Sequence, residues 1–255
     1  MPVKEATRKS PAAAAGRKTG RRAKPLPRAR YTRAELAAIF ERFREQRPRP
    51  EGELEHTSAF TLLVAVVLSA QSTDKGVNRS TRTLFREADT PEAIVRLGEG
   101  RVREHVRTLG LYRNKASNVV ALAQRLVDEH EGAVPRDRDV LTGLPGVGRK
   151  TANVVLNMWW GEAVFPVDTH ILRLGNRIGL APGKTPEEVE RVLDRRVPEP
   201  YRVHAHHWLI LHGRYTCKAR RPLCDECVIR DLCRWKGNPH RPRKGKVGTE
   251  SETAQ

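Results

Sequence analysis

The stretch Leu144-Pro-Gly-Val-Gly-Arg-Lys-Thr151 constrains this 255-residue chain more than any other. A helical run over Asp137–Thr142 precedes it, and a second run carrying Val154, Val155 and Met158 on one face follows. Two glycines in a tight turn let successive backbone N–H groups converge at the start of the second helix, where they favour an anion. A nucleotide-binding P-loop fails on two counts. Gly143 and Gly148 have its separation, but Arg149 stands where that motif needs lysine, and no strand precedes the turn. What remains is a helix–hairpin–helix at about 137–159, which grips a DNA backbone through Gly146, Gly148 and Arg149 without reading base sequence.

The charge balance agrees. The chain carries a formal +18, which calls for an anionic partner, nucleic acid or a membrane surface. The most apolar run, Phe60 to Ala70, is far short of the ~20 residues that span a bilayer, so no membrane partner is expected. Residues 1–30 hold ten Lys or Arg against the single acid Glu5, half of the net charge, and almost no large apolar residue beyond Val3 and Leu26. Such a segment cannot bury enough surface to offset its ordering entropy and reads as a disordered basic tail. It has no apolar stretch of the secretory kind, and its prolines and missing apolar face argue against an organellar leader. Residues 238–255 read as a second flexible tail.

Between the tails the periodicity is helical. Thr32 and Glu35 form a capping box ahead of Leu36, Ile39 and Phe40. Ser58 precedes Phe60–Leu68, apolar nearly all round and hence a buried helix. Thr90-Pro91-Glu92 and Thr185-Pro186-Glu187 start helices with Pro in the first turn. Further helices fit Gly100–Thr108, Asn114–His130, Lys150–Trp159, Thr169–Ile178 and His204–Leu211. The run Ala163-Val-Phe-Pro-Val167 contains a proline that demotes it as a strand. The fold class is all-α.

All four cysteines fall within seventeen residues, as Cys217-x6-Cys224-x2-Cys227-x5-Cys233. In a reducing compartment such a group binds metal rather than forming disulfides. Four thiolates suit zinc or an iron–sulfur cluster. Zinc sites place their cysteines in two short pairs, whereas here only the middle pair is close, so the spacing leans towards a cluster and leaves zinc open. Lys218, Arg220 and Arg221 lie between the first two cysteines. Clamped at both ends by metal ligands, they make a rigid cationic loop suited to phosphate; a solvated turn is the plain alternative.

Lys150 sits in the first turn of its helix, where a cation opposes the helix dipole. A lysine attacks only when neutral, and bringing one from ~10.4 to ~7 takes roughly 4.6 kcal/mol. A helix N-terminus supplies at best ~2 kcal/mol, so desolvation or repulsion from Arg149 must add to it. Asp168, in Val167-Asp-Thr-His170, is either the N-cap of the helix beginning at Thr169 or a carboxylate that stabilises a developing cation, and both roles can hold together. The histidines at 170, 204, 206, 207 and 212 lack a ligand pattern and receive no chemistry.

Taken in order, Leu68-Ser-Ala-Gln-Ser-Thr-Asp74, the glycine turn, Val167-Asp-Thr-His170, His206-His-Trp-Leu-Ile-Leu-His-Gly-Arg-Tyr-Thr-Cys217 and the cysteine spacing resemble the endonuclease III family from about Tyr31 to Trp235. The resemblance implies a two-lobed helix-hairpin-helix DNA glycosylase fold. The six-helix lobe would span 51–162. The iron–sulfur cluster lobe would be made of the first helix, 31–50, with 163–237. It implies a [4Fe-4S] cluster on Cys217, Cys224, Cys227 and Cys233. It also implies a bifunctional glycosylase/AP lyase in which Lys150 attacks the sugar C1′, with Asp168 beside it, to remove oxidised pyrimidines and nick 3′ of the abasic site. Gln71 would fill the gap left by a flipped nucleotide and Leu111 would wedge at the opposite base; as plain alternatives, Gln71 is a buried polar residue and Leu111 a core leucine. The partner would be double-stranded DNA with damaged bases or abasic sites, bound by a monomer in the bacterial cytoplasm, at the nucleoid. An adenine-removing glycosylase of the same superfamily would lack a lysine at 150. A non-catalytic DNA-binding scaffold would leave Lys150 and Asp168 without a chemical role.

Overall fold

The computed structural model describes residues 31–241; the expected basic tail at 1–30 lies outside the described residues, as does 242–255. Among the described residues the regular structure is helical, in the order α1 (Arg33–Gln46), α2 (Ala59–Leu68), α3 (Asp74–Glu87), α4 (Pro91–Val106), α5 (Tyr112–His130), α6 (Arg138–Gly143), α7 (Arg149–Trp160), α8 (Thr169–Ile178), α9 (Pro186–Arg196) and α10 (Arg202–Leu211). None of these helices is long and apolar enough to cross a membrane.

Local chemistry sets the boundaries. Thr32 and Ser58 close capping boxes at α1 and α2, and Thr73, Thr90, Asp137, Asp168 and Thr185 cap α3, α4, α6, α8 and α9 through their side chains. Each satisfies an N–H group that the helix itself leaves open. The two segments expected around residues 91 and 100 stand as two helices run together in α4, with a kink between them where Gly98 leaves helical dihedrals at φ 75° and ψ 160°. Helix α3 has no counterpart in the sequence reading. Its inner face is carried by Val77 and Leu84 with Ser80 and Thr81, too few apolar side chains to register as a stripe.

Two hydrophobic cores form. The first surrounds α2, whose residues Phe60–Leu68 are all buried, and gathers α3 to α7 around it through Val77, Leu84, Ile94, Val102, Val119, Leu122, Leu126 and Val155. Helices α2 to α7 pack together on this first core. The second core joins α1 (Leu36, Ile39, Phe40, Phe43) to α8, α9 and α10 and to Ile229 in the cysteine segment. Helix α1 is fixed there by polar contacts as well: Trp208 Nε1 donates to Arg47 O at 2.8 Å, the Tyr31 hydroxyl to Ile178 O at 2.8 Å, and Arg234 pairs with Glu35 at 2.5 Å. The chain crosses between cores at Val164 and Phe165, which pack on the first and second respectively.

The lobes are joined by charged and polar bridges. Arg149 on α7 pairs with Glu190 on α9, Asn157 on α7 donates to Val203 O at 3.0 Å, and Arg214 pairs with Asp74 at 2.5 Å and with Glu53. The expected second tail begins inside the fold. Asn238 is buried, and its amide donates to Arg230 O at 2.6 Å and Cys233 O at 3.2 Å, which ties the chain to the cysteine segment past Gly237.

Candidate active site

A cleft of about 470 Å³ opens between the lobes, lined by Gln71, Ser72 and Asp74 after α2, Lys150 and Val154 on α7, Asp168 and His170 at the start of α8, and His206, His207 and Arg214. Lys150 is the second residue of α7, exposed at the rim. The turn before it holds Gly146 at φ 74°, and a Cβ there would come within 3.1 Å of Asn118. This glycine is required by both conformation and space. Gly148 is different. Its φ is −92° and a Cβ would meet nothing within 4 Å, so the fold leaves open space in front of it. As N-cap it offers no side chain to the first amides of α7, which stay available to an outside acceptor.

Asp168 is half-buried, and one carboxylate oxygen accepts from Ile171 N at 2.8 Å. The cap role is thus present, while the same side chain borders the cleft that holds Lys150. Arg149 does not stand free beside Lys150. Its guanidinium makes a two-pronged pair with Glu190, Nη2 to Oε1 at 2.8 Å and Nε to Oε2 at 3.0 Å, which offsets the repulsion expected of it. The imidazoles at the back of the cleft are neutral: burial holds His206 well below its ordinary value and takes His207 down to about 4.

Gln71 and Leu111 both stand out of the fold. Each is exposed and each takes a left-handed backbone, φ 54° and 58°. Leu111 is 60% exposed, which removes the core-leucine reading, and exposed Gln71 is no buried polar group. Non-glycine residues hold such dihedrals only where the surroundings over-determine them, often at functional sites.

The four cysteines form no disulfide with one another and line one cavity together with Arg177, His212, Ile229 and Trp235. Burial pushes the Cys227 thiol up to about 11 and raises those of Cys224 and Cys233, so thiolates there need a cationic centre among them. Four sulfurs set round a shared cavity fit a multi-iron cluster better than one tetrahedral zinc.

The loop from Lys218 to Arg221 is gripped from α8. Arg177 donates to Lys218 O at 2.6 Å, to Ala219 O at 2.7 Å and to Cys217 Sγ at 3.6 Å, and lies 5.0 Å over the Trp235 ring. Its carbonyls therefore face inwards, while Lys218, Arg220 and Arg221 are exposed. Arg177, Glu190, Arg214 and the buried Lys115 beneath Ser72 were not singled out by sequence reasoning. Nothing in their local sequence separates them from surface charges, because their partners are 37 to 161 residues away.

Residues 64–199 match the HhH-GPD superfamily of base excision DNA repair proteins, and residues 217–233 match the iron–sulfur binding domain of endonuclease III. The chain is 55% identical to endonuclease III of Treponema pallidum (strain Nichols), with 77% of this chain and 93% of that protein covered. It is 50% identical to endonuclease III of Escherichia coli (strain K12), over 80% and 97%. Among solved structures it resembles a trapped endonuclease III–DNA covalent intermediate, with TM-score 0.75 and 41% identity, covering 80% of this chain and 96% of that one. The chain belongs to the endonuclease III family of helix-hairpin-helix base excision repair proteins and carries that family's [4Fe-4S] cluster domain.

Proposed function

We propose that this protein removes oxidised pyrimidines from duplex DNA and nicks the strand 3′ of the resulting abasic site, using Lys150 as nucleophile. The observation that carries this reading is the placement of Lys150 and Asp168 on opposing elements of one interlobe cleft, at the mouth of a turn with free amides. The cleft volume of about 470 Å³ lies within the roughly 300–1,000 Å³ usual for small-molecule sites, enough for one everted nucleoside.

In the chemistry proposed, neutral Lys150 Nζ bonds to C1′ as the C1′–base bond breaks and the base leaves with the electron pair and a proton. The nitrogen lone pair then forms an iminium as the C1′–O4′ bond breaks and O4′ takes a proton, which opens the sugar ring. Loss of a 2′ proton expels the 3′ phosphate, which breaks the strand. Asp168 uses one oxygen to cap α8 and holds the other towards the cation that develops at the sugar. With Arg149 committed to Glu190, activation of Lys150 rests chiefly on exclusion of water as DNA closes the cleft.

Gln71 and Leu111 would enter the duplex, Gln71 into the vacated gap and Leu111 at the opposite base. The amides after Gly146 and Gly148 would hold phosphate, joined by Lys218, Arg220 and Arg221 on the clamped loop. Arg149 would reach DNA only by leaving Glu190. Cys217, Cys224, Cys227 and Cys233 would hold the [4Fe-4S] cluster, whose work here is to fix the cationic loop. A monomer acting at damaged bases and abasic sites in the bacterial cytoplasm, at the nucleoid, completes the reading, with lobes at 51–162 and at 31–50 with 163–237. Excision from a panel of duplexes, each with one oxidised, deaminated or alkylated base, tests it. Turnover of oxidised pyrimidines is expected, and activity confined to another lesion class would replace the substrate assignment.

A further inference from the structure

Lysine is almost never fully buried unless paired. Lys115 on α5 is only 5% exposed, and its ammonium donates to Ser72 Oγ at 2.7 Å, a neutral acceptor. Burial lowers its affinity for the proton. A methionine of similar shape would fill such a place without the desolvation cost, so the ammonium is there for what it holds.

Its position says what that is. Lys115 N donates to Leu111 O at 3.0 Å, closing the first turn of α5 that Leu111 begins without a capping side chain. Through its side chain the same residue grips Ser72, next to Gln71. The two loops also approach directly: a Cβ on Gly110 would lie 3.8 Å from Gln71 O. Lys115 thus joins, through main chain on one side and side chain on the other, two exposed residues that both hold left-handed backbones.

We propose that Lys115 is a positioning residue that fixes Gln71 and Leu111 at the separation needed to enter the duplex together. This rests on the reading of those two residues as the groups that replace the everted nucleotide. The ammonium acts through Ser72 and touches neither DNA nor the reacting atoms. Its loss lets the Ser69–Thr73 turn shift relative to α5, so that eversion becomes costly while the chemistry at Lys150 is unchanged. The effect is greatest where eversion is hardest, in a fully paired duplex, and least at an abasic site opposite a mismatch, where little stacking has to be broken.

The test uses the full-length, cluster-loaded protein with Lys115→Met, Ser72→Ala and the double variant. Single-turnover excision is measured on a paired duplex with one oxidised pyrimidine, and nicking on a preformed abasic site opposite a mismatch. Eversion is followed by fluorescence of a 2-aminopurine beside the lesion. Each single variant is expected to slow excision by about tenfold and to reduce the fluorescence rise, the double variant no further, with abasic nicking by Lys115→Met changed less than about twofold. Equal slowing on both substrates would assign Lys115 a merely structural role, and additive effects would show that it does not act through Ser72; either overturns the inference. Should Lys115→Met not fold, Ser72→Ala probes the same bond from its half-buried side. Gln71→Ala and Leu111→Ala separate the two levels. If they leave the fluorescence unaltered, the reading of the two probes fails; if they reduce it and the Lys115 and Ser72 variants do not, the positioning role alone fails.

Discussion

Arg149 on α7 and Glu190 on α9 form a two-pronged ion pair, Nη2 to Oε1 at 2.8 Å, that links the two lobes beside Lys150. Glu190 also accepts from the buried Asn153 at 3.1 Å. The carboxylate, with its side chain 15% exposed, is the more enclosed partner and Arg149 the more open at 47%.

Glu190→Gln is therefore expected to cost about 1–2 kcal/mol, between the values for exposed and fully buried pairs. It also releases Arg149 towards the DNA backbone. The slope of log affinity against log salt should steepen by ~0.9 if Arg149 gains one phosphate. An unchanged slope would keep Arg149 a lobe bridge and remove it from the DNA surface.

The cysteine cavity leads to a metal prediction. Purified protein should be yellow-brown with roughly four irons per chain. Cys224→Ser should lose the chromophore and weaken DNA binding, because the Lys218–Arg221 loop loses one of its anchors while Arg177 keeps the other. Iron assay with visible absorbance decides. Stoichiometric zinc in protein made under iron-replete anaerobic conditions would contradict the cluster assignment.

The buried histidines set an acid limit on stability. His207 titrates near 6.5 when unfolded and about 4 when folded, so between these values the unfolded chain binds the extra proton. Stability is present above pH 6.5 and falls as pH drops towards 4, by roughly 3 kcal/mol for this one residue. Burial lowers His206 in the same direction. Denaturant unfolding from pH 7 to 4.5 should show a shallower acid loss for His207→Gln than for the parent. Parallel curves would remove His207 from the acid response.

Much of the fold was legible because it is local. The threonine, serine and aspartate caps, the proline starts and the run Phe60–Leu68 carry their meaning within a few residues. Helix α3 was not legible: Ser80 and Thr81 hold half of its inner face, Ser80 pairing at 3.3 Å with Thr108 just after α4, and small polar residues do not mark a stripe. At the site, Lys150, Asp168 and the cysteines stood out through unusual residue types in fixed spacings. Lys115, Arg177 and Glu190 did not, because each is defined by a distant partner. The exposure of Leu111 was likewise invisible, since an isolated leucine carries no sign of which way it faces.

Asp168 separates a structural role from a chemical one. Asparagine caps helices as well as aspartate, so Asp168→Asn should keep the bond to Ile171 N and the melting temperature. It should slow base excision by roughly 100- to 1,000-fold, the usual effect of losing a preorganised charge. Near-parental single-turnover rates would leave Asp168 a cap and move charge stabilisation elsewhere in the cleft.

The nucleophile itself is tested most directly by borohydride trapping on a duplex with one abasic site, comparing the parent with Lys150→Gln. The parent should give a covalent protein–DNA adduct that maps to Lys150 by peptide mass. Lys150→Gln should give neither adduct nor nick while still binding the duplex, since the Gly146–Gly148 amides remain. An adduct of parental yield from Lys150→Gln, or one mapped to another amine of the chain, would contradict the assignment of Lys150 as the nucleophile.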